Sequence, residues 1–254
     1  MRITVISGSH RNEAQSLKVA RFIKRELENG ICDEAVLFSL ADNPLPLWDM
    51  GVWEGEEKWS VLLDPIREGL ADSDAFVVVS PEWHGQVPAG LKNFFLLFGK
   101  KELGDKPALI VAVSAGDGGA YPVAELRMSS YKNSRLCYIP EQVIVRNVEQ
   151  VLNDDEAQNM EEADAYFRAR NPWALKILRE YALALRQVRK SGVTQTETYH
   201  NGMKYQHLMR SDSDNGGGTE FRPCRRSWLC HGAFHFSGIP DPRGMPGGLC
   251  RNRA

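Results

Sequence analysis

A chain of 254 residues with 43% hydrophobic content carries enough apolar surface for at least one sizeable core, which excludes a wholly disordered protein. Its formal net charge of -2 at pH 7 supplies neither the basic field that collects nucleic acid nor the acidic excess of a solvating tail, so small-molecule chemistry is favoured. Five cysteines, an odd number at irregular spacing in a long chain, argue against a disulfide framework and for reduced thiols.

The chain starts directly in a strand pattern, without a charged n-region and apolar h-region. Nowhere does it reach the roughly 18 consecutive apolar residues that span a bilayer. The expectation is a soluble, cytoplasmic protein with neither membrane nor nucleic acid as a partner.

Extended apolar runs lie at Arg2 to Ser7, Glu34 to Leu40, Ala75 to Ser80, Ala108 to Ser114 and, more weakly, Gln142 to Val145. The runs Phe76-Val77-Val78-Val79 and Leu109-Ile110-Val111-Ala112-Val113 are apolar on consecutive positions, as expected of strands covered on both faces. Helical patterns at Ser16 to Asn29, Lys58 to Ala71, Ala89 to Phe98 and Ala120 to Tyr131 supply the crossovers that parallel strands require. The order predicts a doubly wound α/β domain of five parallel strands with helices on both faces.

A last helix is punctuated by Asn171 as cap, Pro172 in the first helical position and Gly192 after Arg189 and Lys190. Within it Trp173, Ile177, Tyr181, Leu185 and Val188 recur at helical spacing, predicting an apolar stripe against the sheet. The acidic stretch from Asn153 to Asp164 reads as a surface loop with solvated charges, running into a shorter helix.

From about Thr194 the chain turns rich in Gly, Pro, Arg and Cys and loses its periodicity. Residues 1–193 are therefore read as the folded domain and 194–254 as an irregular, basic C-terminal extension. Cys224, Cys230, His231, His235 and Cys250 lack the paired short spacings of zinc modules, so no metal site is assigned.

In a doubly wound sheet, ligands bind beyond the carboxyl ends of the strands, at the point where the connections change direction. Three loops follow strand ends there. The first, Gly8-Ser9-His10-Arg11-Asn12-Glu13-Ala14-Gln15-Ser16, leads into a helix; its turn, hydroxyls, Arg11 cation and helix N-terminus suit a phosphate, although a Gly-Ser turn also serves as a plain cap. The second, Pro81-Glu82-Trp83-His84-Gly85-Gln86-Val87-Pro88-Ala89-Gly90-Leu91-Lys92-Asn93, with Pro88 placed to end the loop before the next helix, is a stiff segment whose backbone and aromatic suit the edge of a flat heterocycle. The third, Ser114-Ala115-Gly116-Asp117-Gly118-Gly119, lets main chain approach a ligand closely.

These residues resemble the NAD(P)H-dependent FMN reductases, with the related quinone, azo-dye and chromate reductases on a flavodoxin-like fold. The family's G-S-x-R motif, followed by a serine, matches Gly8, Ser9, Arg11 and Ser16. Its P-E-Y-N-G-S-x-P-G-x-L-K-N motif is similar to Pro81 to Asn93, and its S-x-G-x-x-G-G loop is similar to Ser114, Gly116, Gly118 and Gly119, with one residue fewer before the last two glycines. The resemblance spans about residues 1 to 190 and leaves the tail uncovered.

What the resemblance implies is FMN as cofactor, with NADPH or NADH as electron donor. Ser9, Arg11, Gln15 and Ser16 would hold the phosphate; Pro81, Glu82, Trp83, His84 and Gly85 would line the isoalloxazine, with Ser114, Gly116 and Gly119 approaching from the third loop. Trp83 and His84 stand where Tyr and Asn are usual, Gln86 replaces a common Ser, and Ala89 replaces a common Gly. His84 is read as a ring-positioning contact, with a general-acid role as the other reading. Because the flavin carries the chemistry, no catalytic side chain is assigned.

The implied reaction passes electrons from the nicotinamide through FMN to a quinone, free flavin, azo compound or similar small-molecule acceptor. The aromatic segment from Leu45 to Trp53 points, with the family resemblance, to a homodimer or homotetramer. The alternative is a flavodoxin-like electron carrier or FMN-binding protein without nicotinamide turnover. A Rossmann dehydrogenase is disfavoured because "SGSHRNEAQS" lacks G-x-G-x-x-G, and a receiver domain because Ser7 and Ser80 end the strands where it needs acids.

Overall fold

The computed structural model describes residues 1–195. The extension proposed from residue 194 and its Cys and His set therefore lie, but for its first two residues, outside the described residues. Five strands form one sheet: β1 (Arg2–Ser7), β2 (Glu34–Ser39), β3 (Ala75–Pro81), β4 (Pro107–Val113) and β5 (Cys137–Val145). The spatial order is β2-β1-β3-β4-β5 and every pairing is parallel, with Val5 beside Leu37 and Val77, and Val111 beside Val79 and Val143. The flavodoxin-like doubly wound sheet expected from the sequence is thus present.

Among the described residues seven α-helices accompany it: α1 (Gln15–Glu28), α2 (Gly51–Glu54), α3 (Glu57–Ala71), α4 (Ala89–Leu97), α5 (Lys100–Leu103), α6 (Ala120–Ser129) and α7 (Glu161–Lys190). One face of the sheet packs Val19, Phe22 and Ile23 of α1 and Leu175 and Leu178 of α7 against Ile3, Val5, Val77 and Val111. The other packs Leu63 of α3, Leu91 and Phe94 of α4 and Leu126 of α6 against Ile6, Phe76, Val78 and Ile110. Every residue of β3 and β4 is buried, which is why both strands read as unbroken apolar runs.

Two expectations fail at the C-terminal helix. It begins at Glu161 rather than at Asn171, and Pro172 lies inside it. The buried Asn171 side chain donates to Phe167 O at 2.8 Å, and Phe167, Ala174 and Leu175 are buried on both sides of the proline, so tertiary packing outweighs the lost N–H. The stripe facing the sheet is Ala174, Leu175, Leu178 and Ala182, while Trp173 is 49% exposed and carries the Arg170 guanidinium over its ring at 4.5 Å. Small residues let the helix lie close to the sheet; bulky Trp173 and Tyr181 are left at the rim. Asp164 is likewise not a solvated charge: it is buried and accepts from Leu152 N at 2.6 Å and Arg168 Nε at 2.6 Å.

The weak fifth strand is also longer than its apolar run, beginning at Cys137 with a register shift between Ala108 and Ile110 of its neighbour. It is an edge strand, so its outer positions stay polar or exposed.

Candidate functional site

All three sequence-marked loops emerge at the carboxyl end of the sheet, from β1, β3 and β4, around the point where the chain order reverses between β1 and β3. Gly8 leaves β1 with its N–H donating to Val79 O at 2.8 Å. A Cβ at Gly8 would lie 2.6 Å from Leu91 Cδ2 and 2.9 Å from Val79 O, so the first loop presses on both β3 and α4.

The loop then delivers α1 without a cap. Ala14 occupies the N-cap position, no acid lies in the first turn, and the first intrahelical donors are Leu17 and Lys18, both to Ala14 O. The N–H groups of Gln15 and Ser16 accordingly have no helical carbonyl, and the positive end of the helix dipole is not offset by a side chain. Ser16 Oγ is buried and has no hydrogen-bond partner among the described residues, and the same holds for Ser7 Oγ at the end of β1. A buried hydroxyl left unpaired costs about 1–3 kcal/mol, and these donors remain available to an anion. Ser9 is buried and accepts from Arg11 N at 3.2 Å, while Arg11 and Gln15 are exposed beside it.

The second loop is a tight hairpin. Trp83 and Gln86 exchange backbone hydrogen bonds at 3.1 and 2.9 Å, enclosing His84 at φ 50° and Gly85 at φ 72°. Two central residues with positive φ make this a type I′ turn, in which Asn-Gly is the favoured pair and a histidine is strained. Its far end is anchored by Glu125 of α6, which accepts from Val87 N at 2.8 Å and pairs with Lys92 of α4 at 2.6 Å. Burial works against the charged Glu125 carboxylate, but the Lys92 ammonium and the Val87 N–H outweigh it and hold the pKa below the ordinary carboxylate value.

Glu82 joins the second loop to the third. Its N–H donates to Val113 O at 3.0 Å and its carboxylate accepts Gly119 N–H at 2.5 Å, at the start of α6. Gly119 has φ 100°, and a Cβ there would lie 2.3 Å from Ile144 Cγ2. Ser114 N donates to Val145 O at 2.9 Å, Ser114 Oγ accepts from Gly116 N at 3.3 Å, and Arg146 Nε donates to Gly118 O at 3.0 Å. The third loop is thereby fixed from both sides, leaving Gly116 exposed toward the cleft end of the sheet.

His10, Arg11, Glu82, Trp83 and His84 line an open cleft of about 530 Å³. Of the residues singled out in the sequence, Arg11, Glu82, Trp83 and His84 thus share one cavity wall, with Ser9 and Ser16 at the adjoining helix end. Gly119 is linked to that wall through the Glu82 carboxylate, while Gly116 is held by Ser114 Oγ within its own loop and by the Asn147 N–H. Sequence reading missed His10 as a contributor: it meets Trp83 edge to face, centroids 4.7 Å apart. No local pattern announces this, since the motif leaves that position open and the pair lies on different loops.

The aromatic segment after β2 is held by Asn93 of α4, which accepts from Trp48 N at 2.8 Å and donates to Pro46 O at 2.9 Å. Leu47 and Trp53 are exposed there, 75% and 74%. Among the described residues no helix is long and apolar enough to cross a membrane, and no cluster of metal-ligating side chains occurs.

Residues 1–150 match the family model described as NADPH-dependent FMN reductase. The chain is 31% identical over 123 residues to a quinone reductase of Pseudomonas putida, a match covering 47% of this chain and 63% of that protein. It is 26% identical over 147 residues to an NADPH azoreductase of a Bacillus species, covering 57% and 76%. Among solved structures it is similar to FerB of Paracoccus denitrificans, a flavoenzyme NAD(P)H:(acceptor) oxidoreductase, with TM-score 0.56, 18% identity and coverage of 72% of this chain and 97% of that one. An oxidoreductase of Corynebacterium diphtheriae gives TM-score 0.53 at 15% identity, covering 72% and 97%. At these identities the structural likeness is one of fold.

Proposed function

The chain belongs to the NADPH-dependent FMN reductase family, and on that premise we propose that it is an NAD(P)H-dependent, FMN-containing oxidoreductase acting on a quinone, azo compound, free flavin or similar small acceptor. The observation that carries this reading is the uncapped N-terminus of α1, with Ser16 Oγ buried and unpartnered beside Ser9 and Arg11. These residues fit the phosphate of FMN: hydroxyls, free N–H groups and a guanidinium converge where the helix dipole favours an anion. FMN, when bound, supplies the acceptance of hydride from the nicotinamide and the delivery of electrons to the second substrate.

The chain's own share is to bind, orient and shield. Ser9, Arg11, Gln15 and Ser16 hold the phosphate. Pro81, Glu82, Trp83, His84 and Gly85 flank the ring system as a hairpin made rigid by its I′ turn, and Ser114, Gly116 and Gly119 offer backbone from a loop that Glu82 and Arg146 pin. No side chain at the cleft is assigned a proton-transfer step, in keeping with a reaction whose bond changes occur on the cofactor.

The reading includes a cytoplasmic homodimer or homotetramer with residues 194–254 as a separate extension. The exposed Leu47 and Trp53, on a segment that Asn93 holds in place, supply an apolar surface for a second copy. A mass in solution that stays monomeric at all concentrations would reject that assembly.

The deciding experiment is the visible spectrum of the protein after FMN loading and desalting, followed anaerobically as NADPH and then NADH are added. Retained flavin bands bleached by a pyridine nucleotide support the reductase. Retained flavin that neither nucleotide bleaches favours a carrier, and flavin lost on desalting overturns the phosphate-site assignment.

A further inference from the structure

We infer that His10 is a positioning residue that holds the Trp83 indole as one wall of the site for a planar aromatic second substrate. The inference rests on the proposed reductase reading for its substrate class, but its geometry stands apart from the cofactor. Among the described residues the ring partner of Trp83 is His10, edge to face with centroids 4.7 Å apart and planes at 82°. Both rings line the same open cleft. The Trp83 backbone is fixed by its exchange with Gln86, yet its half-exposed side chain has no helix or strand to set its direction.

Two further observations show how the imidazole is held. His10 Nδ1 is buried with no hydrogen-bond partner among the described residues, so no protein hydrogen bond to that nitrogen sets the ring and its orientation rests on packing. Behind it lies Gly90 in the first turn of α4, where a Cβ would come to 3.1 Å from Nδ1. A bare α-carbon at that position leaves room for the ring; an alanine would crowd it and displace it by a few tenths of an ångström. The sequence supplies three parts of one corner: a glycine behind, a histidine in the middle and an indole at the front. Edge-to-face pairs restrict a ring's swing without covering its outer face, and that face is what a flat heteroaromatic or quinone stacks upon. The order Gly90, His10, Trp83 therefore sets the width of the cleft for flat acceptors.

The test is an equilibrium-dialysis titration of acridone, a neutral planar heteroaromatic probe. It is made with the full-length wild type, His10→Ala, His10→Phe and Gly90→Ala, each with and without added FMN. His10→Ala is expected to weaken acridone about two- to tenfold, the range of an aromatic pair. His10→Phe, which keeps a ring at the position, should return to within about twofold of wild type, and Gly90→Ala should fall on the weak side. The inference is overturned if wild type binds no acridone, if His10→Ala binds as wild type does, or if His10→Phe is as weak as His10→Ala. Failure of the reductase reading is separate, being read by FMN retention; because Trp83 also flanks the proposed flavin, the FMN-loaded titration decides the second-substrate role and the unloaded one decides whether His10 holds the indole.

Discussion

The Glu82 carboxylate accepts the Gly119 N–H at 2.5 Å across a sequence separation of 37 residues, fastening the hairpin after β3 to the start of α6. A charge-assisted hydrogen bond of this kind contributes about 1.5–3 kcal/mol where it is shielded. Both loops it joins face the proposed flavin. Glu82→Ala is expected to leave the fold intact and to weaken FMN by about tenfold or more, with Glu82→Gln recovering part of the loss because its amide oxygen still accepts the same N–H. Quenching of FMN fluorescence on binding reads both values; an unchanged affinity in Glu82→Ala would detach this clasp from cofactor binding.

Gly119 itself admits no side chain. At φ 100° an L-residue is strained, and its Cβ would meet Ile144 Cγ2 on the neighbouring β5. Strain and overpacking together predict that Gly119→Ala loses about 2–4 kcal/mol of stability. The urea midpoint should fall accordingly. A shift below about 0.5 kcal/mol would mean that the loop relaxes by another route.

How much of this was legible in the sequence follows from where each signal resides. Strands β3 and β4 were plain because burial on both faces leaves no polar position to break the run. The start of β5 was hidden because Pro140 is exposed and Glu141 and Gln142 are only half-buried, so an edge strand offers no unbroken apolar pattern. The long helix α7 was cut short because Asn171-Pro172 is a good start signal locally, and only packing around Phe167 and Leu175 overrides it. In the site, the glycines and the helix after the first loop could be found by spacing, but not that Ala14 leaves its N-terminus uncapped. The Glu82–Gly119 clasp and the His10–Trp83 corner could not, since each joins residues on different loops and exists only once the sheet has ordered them.

At the opposite end of the sheet, Lys106 is 6% exposed just before β4, and its Nζ donates to Leu70 O at 2.9 Å, Ala71 O at 2.6 Å and Glu102 O at 2.7 Å. Burial, with the nearby Arg189 charge, lowers its pKa from 10.5 to about 8, against the pull of Asp74, Asp72 and Glu102. Because the folded pKa is depressed, the unfolded chain binds more protons between pH 8 and 10.5, so this residue's contribution to stability rises with pH across that window. Lys106→Met removes the titration and strands three carbonyls, costing about 2 kcal/mol or more at pH 7. The gap between wild type and Lys106→Met should then widen by about 2–3 kcal/mol from pH 8 to 10.5. Denaturant titrations of both proteins at several pH values test this, and a gap that narrows would mean that Lys106 is not buried as a cation.

His84 separates a conformational role from a chemical one. It is exposed at φ 50° in the first central position of a type I′ turn, where asparagine adopts the left-handed conformation more readily. If the residue serves the turn, His84→Asn keeps stability or raises it by up to about 0.5–1 kcal/mol and leaves kcat for nicotinamide oxidation within about threefold of wild type. His84→Val, β-branched at a positive φ, should lose about 1–2 kcal/mol and loosen the hairpin under Trp83. A general acid would respond differently: asparagine cannot deliver a proton, and kcat would fall by about a hundredfold or more with no loss of stability. Measuring kcat and the denaturation midpoint on the same two variants therefore distinguishes the roles, because the turn predicts that valine is the damaging change and proton transfer predicts that both are.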